Sequence, residues 1–205
     1  MHRHFLTVLT ILAMMLTALA AKPTAAQRGQ RCFPETGHCI SGLIRACWER
    51  NGGLPIFGYP ITPRRQEIVE GRSLQAQWFE RSRLEIQRDG LVTSGRLGAR
   101  YLELTGRPWQ QFPREQPIDS LECVYFPQTG FNVCGWFLGH WQRNGGLERF
   151  GYPISPVFEE LIEGRRYWVQ YFERGRMEHH PENSYPYDVL LGLLGREVLA
   201  LEQGG

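Results

Sequence analysis

Residues Phe33 to Glu85 align without a gap onto Phe126 to Glu178, at a constant offset of 93, with roughly half of the aligned positions identical. Trp48 to Leu54 recurs as Trp141 to Leu147, Phe57-Gly58-Tyr59-Pro60-Ile61 as Phe150-Gly151-Tyr152-Pro153-Ile154, and Phe79-Glu80-Arg81 as Phe172-Glu173-Arg174. A duplication of this length makes each copy one structural unit, and any function of the unit should appear once per copy. A catalytic set is needed only once, whereas a recognition surface gains from repetition through effective concentration. The duplication therefore points to binding.

The N-terminus reads as an export signal. His2, Arg3 and His4 open it, Phe5 to Leu19 is almost wholly apolar, and Ala18-Leu19-Ala20 has the small-x-small pattern of a cleavage site, with Thr24-Ala25-Ala26 as a second option. The run is shorter than the ~20 residues that cross a bilayer, so no membrane span is expected after cleavage. The expected organisation is a signal peptide over 1–20, a flexible segment over 21–31, one repeat module over 32–105, a linker over 106–122, a second module over 123–202 and a tail over 203–205. The formal charge is +2. Such a balance supplies no electrostatic footprint for nucleic acid.

Export would place the five cysteines where disulfides persist. Cys32 with Cys39, and Cys123 with Cys134, bracket a turn-like stretch at the start of each copy, and this is the preferred pairing. Cys47 then remains as a buried thiol, with a Cys32–Cys47 bridge as the alternative. Ser41 can cap a helix over 42–51, ended by Gly52-Gly53. Leu43 with Cys47, Ile44 with Trp48, Trp136 with His140 and Phe137 with Trp141 fall four apart, which predicts a core face on that helix. The Gly-Tyr-Pro segment cannot continue a helix and reads as a turn into extended chain. Glu70-Gly71-Arg72 and Glu163-Gly164-Arg165 read as hairpin turns, and Gly175 as a second reversal. The fold class is α+β: two tandem similar modules, each with a capped helix, the Gly-Tyr-Pro turn, an antiparallel hairpin sheet of two or three strands, and a closing helix. The closing helices are expected over Leu97 to Leu104 and Asp188 to Leu201, with the pairs Leu97-Gly98 and Leu194-Gly195 hinting at close packing on a sheet.

No nucleophile elbow, zinc-protease helix, phosphate loop or Cys-x-x-Cys pair occurs, and no cofactor or metal is expected. Glu178, His179 and His180 could be imagined as a metal set, but adjacent histidines on a strand point to opposite faces. The recurring polar residues are the candidate ligand-binding set: Gln77, Trp78, Glu80, Arg81 and Arg83 in one copy, Gln170, Tyr171, Glu173, Arg174 and Arg176 in the other. Asn51, Glu85, Asn144 and Glu178 recur with them. Arginine forks and carboxylates beside aromatic rings suit a sugar, whose hydroxyls need planar donors and acceptors and whose C–H face needs a ring. The same residues could equally be ion pairs on a solvated sheet face.

The strings Leu54 to Thr62, Glu70-Gly71-Arg72 and Gln77-Trp78-Phe79-Glu80-Arg81, with Phe150 to Ser155, Glu163-Gly164-Arg165 and Gln170 to Gly175, resemble the LGFP-type repeat of secreted bacterial proteins. This chain has Phe for the leading Leu, Tyr for the following Phe, and added cysteines. The resemblance implies attachment to the cell envelope and carries over no individual binding residue. The leading expectation is a secreted, non-enzymatic protein that binds envelope polysaccharide or peptidoglycan, without a catalytic residue. The alternatives are a glycosidase-like wall hydrolase acting through Glu80 or Glu173, and a module that binds or inhibits another exported protein.

Overall fold

The Gly-punctuated opening of each copy forms a tight antiparallel hairpin. A computed structural model describes residues 29–204, so the expected signal peptide and residues 21–28 lie outside the described residues. Strand β1 (Gln30–Phe33) pairs with β2 (His38–Ser41), and β7 (Cys123–Phe126) with β8 (Phe131–Cys134). The first strand thus begins two residues before the expected module boundary. Cys32 and Cys39 are directly opposed partners joined by a disulfide, as are Cys123 and Cys134. The second bridge corresponds to the Gln30–Ser41 pair of the first hairpin, so each hairpin is stapled at a different rung of the same ladder. Two disulfides fit an oxidising environment. Cys47 is free and buried, and burial raises the pKa of its thiol.

Helix α1 (Gly42–Arg50) and α4 (Gly135–Arg143) follow the hairpins, and the short α2 (Gly53–Phe57) and α5 (Gly146–Phe150) come next. Ser41 stands at the N-cap, but its side chain makes no capping bond. The ends are closed instead by Asn51 and Asn144, whose amides donate to the Cys47 and His140 carbonyls at 2.8 and 2.9 Å. Gly52 then adopts φ 100°, which a β-carbon would make costly. Ile44, Trp48 and Phe137 are buried as the spacing predicts, whereas Leu43 and Trp136 are half exposed because they sit at the helix edge. The indole of Trp48 donates to the Gly58 carbonyl, tying the helix to the Gly-Tyr-Pro turn.

Each half then builds a four-stranded antiparallel meander. The first comprises β3 (Arg65–Val69), β4 (Arg72–Trp78), β5 (Arg83–Ile86) and β6 (Val92–Ser94). The second comprises β9 (Phe158–Ile162), β10 (Arg165–Phe172), β11 (Gly175–His179) and β12 (Val189–Leu191). The protein is therefore α+β with antiparallel sheets. The Glu70-Gly71 turn has φ of 48° and 75° at its centre, the mirror-image geometry that suits a two-residue hairpin. Gly175 does not need positive φ, which is why Ser82 serves at the matching place. The last strand of each sheet is three residues long, too short to leave a periodic signal. For that reason Val189–Leu191 lies in a stretch expected to be helical.

The closing helices α3 (Leu97–Leu104) and α6 (Leu194–Glu202) are exchanged. Helix α3 follows the first sheet but packs on β10 and β11 of the second, while α6 returns to β4 of the first, and the two helices pack on each other. A β-carbon built on Gly98 would lie 1.9 Å from the Phe172 carbonyl oxygen, and one on Gly195 would lie 1.8 Å from that of Phe79. The Leu-Gly pairs thus permit backbone-to-backbone contact with the other half. Ala99 N–H donates to the Glu173 carbonyl and Arg196 N–H to that of Glu80, both at 3.2 Å. Leu97, Leu102, Leu194 and Val198 join Trp78, Val169 and Tyr171 in a core shared by both sheets. Each such side chain contributes about 1.5–3 kcal/mol by leaving water. Trp109 and Phe112 of the connecting segment pack onto this core, so the segment is docked there rather than only spanning the gap.

Two outcomes follow from this packing. Gly98→Ala and Gly195→Ala should each destabilise the whole protein by at least ~1–3 kcal/mol, the usual cost of overpacking, because the obstructing atom is backbone. Urea denaturation would measure this, and variants as stable as the wild type would contradict the exchange. His140 occupies the position of Cys47, and burial, with Arg143 adding to it against Asp188, lowers its pKa from 6.5 to about 4. A group whose folded pKa is depressed contributes stability above its unfolded pKa and loses it as pH falls, here between 6.5 and about 4. Stability should drop by up to about 1.4 kcal/mol per pH unit in that window, and His140→Leu should show a shallower decline in urea midpoints between pH 7 and pH 5. Parallel declines would refute this assignment.

Candidate functional site

The exchange leaves the outer part of the second sheet uncovered on its central face. A cleft of about 610 Å³ opens there. Strands β10 and β11 supply Tyr167, Arg176 and Glu178, and the residue after β11, His180, joins them; Arg196 and Glu197 come from α6, and Arg81 and Tyr101 from the first half. Alternation along the strands fixes this arrangement: Tyr167, Val169 and Tyr171 face centrally, opposite Glu178 and Arg176 in register.

The floor is a buried charge network around Arg176, only 2% exposed. Its guanidinium donates to Glu178 Oε1 from Nε at 2.8 Å and from Nη2 at 2.7 Å, and grips both Glu197 oxygens at 2.9 and 3.1 Å. It also donates to the Tyr171 hydroxyl at 3.1 Å, while that hydroxyl donates to Glu160 Oε2 at 2.6 Å. Arg107 from the connecting segment bonds the other oxygen of Glu160 at 2.6 Å. Burial would lower the pKa of Arg176, but the Glu178 and Glu197 carboxylates oppose it and raise the value, so the group stays charged. Burial first, with Glu160 adding, drives the Tyr171 phenol up and keeps it neutral.

The mouth is wetter and aromatic. Tyr167, partly buried, lies 4.1 Å from the His180 ring centre to centre and donates its hydroxyl to Glu182 at 3.1 Å. His180 is held between Glu178 and Glu182, both at 3.1 Å. Glu163 and Arg165 line the rim and are exposed. Among the described residues no group of His, Cys, Asp and Glu is arranged to hold a metal. His179 and His180 point apart: one bonds in the cleft and the other stacks on Trp136 across the sheet.

The first half carries a reduced version of this site. Arg83 pairs with Glu85 at 2.8 Å, and the Trp78 indole donates to Glu67 at 2.9 Å where Tyr171 meets Glu160. Leu74 stands in place of Tyr167, Gln87 of His180, and Arg100 of Glu197 when the Leu-Gly pairs are superposed. The corresponding surface is broken into hollows of about 350 and 280 Å³.

The residues chosen by recurrence therefore divide. The buried Gln77 donates to the Cys39 and Thr62 carbonyls, and the buried Gln170 to those of Asn132 and Ser155. Trp78 and Tyr171 are core. These four cannot touch a ligand directly, because all of them are buried. Glu80 accepts the Tyr59 N–H at 3.0 Å and Arg196 at 2.7 Å, and Glu173 accepts the Tyr152 N–H and Arg96, both at 3.1 Å. Burial would raise the pKa of Glu80, but Arg196, the Tyr59 amide and Arg81 together lower it. Arg81 donates to the Leu191 carbonyl and Arg174 to that of Ser94, each reaching the other half. Only Arg81 and Arg176 of the set line the large cleft, with Arg83 and Arg174 at its smaller counterparts. Glu160 was findable as the match of Glu67, but Tyr167, His180 and Glu197 differ between copies.

No family model matches this sequence, and no curated protein matches it. Among the described residues no helix is long and apolar enough to cross a membrane.

Arg176 offers a direct check of the buried network. Arg176→Met would leave Glu160, Glu178 and Glu197 with a missing partner and should cost ~3–5 kcal/mol in urea denaturation. Arg83→Met, with fewer and longer contacts, should cost clearly less. Equal losses would contradict the asymmetry between the two sites.

Proposed function

We propose that the chain is a secreted, non-enzymatic protein of two repeat modules that binds cell-envelope polysaccharide or peptidoglycan, with the cleft of the second half as its contact surface. The observation that carries this reading is a partly open ring, Tyr167, beside pre-paired guanidinium and carboxylate groups in a cleft of about 610 Å³. That volume lies within the ~300–1,000 Å³ of ordinary small-ligand sites. A pyranose presents a C–H face for the ring and hydroxyls for planar donors and acceptors, and both are on offer here. The resemblance of both copies to the LGFP-type repeat supports an envelope ligand. Hydrolysis through Glu80 or Glu173 is disfavoured by their structural engagement: each carboxylate already holds a backbone amide and an arginine of the other half. Both oxygens of each carboxylate are thus engaged by protein donors, and neither residue lines the large cleft.

The test is co-sedimentation of the full chain with purified peptidoglycan, comparing wild type with Tyr167→Leu plus His180→Gln, the residues the other copy carries. The wild type should sediment, the variant should bind about tenfold more weakly, as expected for losing one ring contact and its hydrogen bonds, and no new reducing ends should appear. Undiminished binding by the variant would rule out this cleft, and release of reducing ends by the wild type would rule out the non-enzymatic reading.

A further inference from the structure

We propose that Trp136 and Trp168 form a second ligand surface, a flat platform on the opposite face of the second sheet that stacks against the C–H face of a sugar ring; it rests on the glycan reading above but on different residues. The Trp136 ring lies parallel to His179 at 3.8 Å and 4°, yet Trp136 remains 51% exposed. One face of the indole is therefore covered and the other is open. Trp168 is the direct cross-strand partner of the same His179 and is 45% exposed. Two indoles thus flank one imidazole, each with a ring surface turned to solvent.

The other copy shows that the fold does not require them. At the matching positions it has Leu43 for Trp136, Gln75 for Trp168, Ile86 for His179 and Gln66 for Glu159, on the same strands in the same register. The same backbone is built there with aliphatic and amide side chains, Gln75 donating to Gln66. Two indoles at solvent beside one imidazole, where the twin has no aromatic ring, serve something other than packing.

Size and surroundings select the occupant. Even with Leu161, exposed on the same face, the open apolar area is on the order of 300 Å², given ~150–250 Å² for a whole aromatic side chain. A stable protein partner needs ~800 Å² on each side. Glu159 lies directly opposite Trp168, and Arg166 is the next residue of β10 on that face, both exposed. A small flat apolar area beside a carboxylate and a guanidinium matches one or two pyranose rings with their hydroxyls. It does not match a lipid surface, which the Glu159 carboxylate would oppose.

The experiment uses the full chain with two probes, insoluble peptidoglycan and a soluble chito-oligosaccharide, and the variant Trp136→Leu plus Trp168→Gln, whose residues the first copy shows to be compatible with the fold. Both probes should bind about tenfold more weakly to this variant at unchanged melting temperature, and the oligosaccharide should change wild-type tryptophan fluorescence but not that of the variant. If the platform variant binds both probes like the wild type while the Tyr167→Leu plus His180→Gln variant does not, the platform is overturned and the cleft stands. If only the platform variant loses binding, the cleft reading falls and the platform stands. Failure of the wild type to bind either probe overturns both.

Discussion

Everything in this molecule is arranged around two places where helix backbone meets strand-end backbone without a side chain between them. Gly98 lies against the Phe172 carbonyl and Gly195 against that of Phe79, and each contact joins a closing helix to the half it does not follow in sequence. The recurring Phe-Glu-Arg tripeptide is the receiving side of that clasp. Phe79 and Phe172 plug their own cores, Glu80 and Glu173 bind an arginine delivered by the other half, and Arg81 and Arg174 reach across to a foreign carbonyl. The shared core that results contains side chains from both sheets and both helices. Neither half has its own lid.

Duplication also supplies an internal control. Residues that recur, such as Gln77 and Gln170 or Asn51 and Asn144, turn out to satisfy backbone groups at the same structural points. Residues that differ at matched positions are where the surface changes character: Leu74 becomes Tyr167, Gln87 becomes His180 and Leu43 becomes Trp136. These gains in aromatic surface fall in the second half, around both faces of its sheet. The two copies are thus alike as scaffolds and unlike as surfaces, and the proposed glycan contact is concentrated in one of them.

This explains what could be read from the chain. The first closing helix, Leu97 to Leu104, the Glu-Gly hairpin turns and both disulfides were legible, because glycine, apolar spacing and cysteine position act locally. The exchange of helices was not, since a Leu-Gly pair announces close packing without naming the partner. Recurrence alone does not separate binding from architecture: Gln77 and Gln170 recur as buried glutamines that each donate to two carbonyls. The Tyr167 and His180 cleft left no trace in a search for shared residues, and only register could bring them to one face.

The central claim is that two sheets of one chain are closed by each other's helices, and native-state hydrogen exchange tests it most directly. The Trp78 amide donates to Thr62 in the first half and the Tyr171 amide to Ser155 in the second, both buried. With the disulfides intact, these two amides should exchange with the same opening free energy and the same denaturant dependence, because both sheets lose the one core they share when the helices part. Two separate opening free energies, with one sheet still protected after the other has opened, would contradict the exchange.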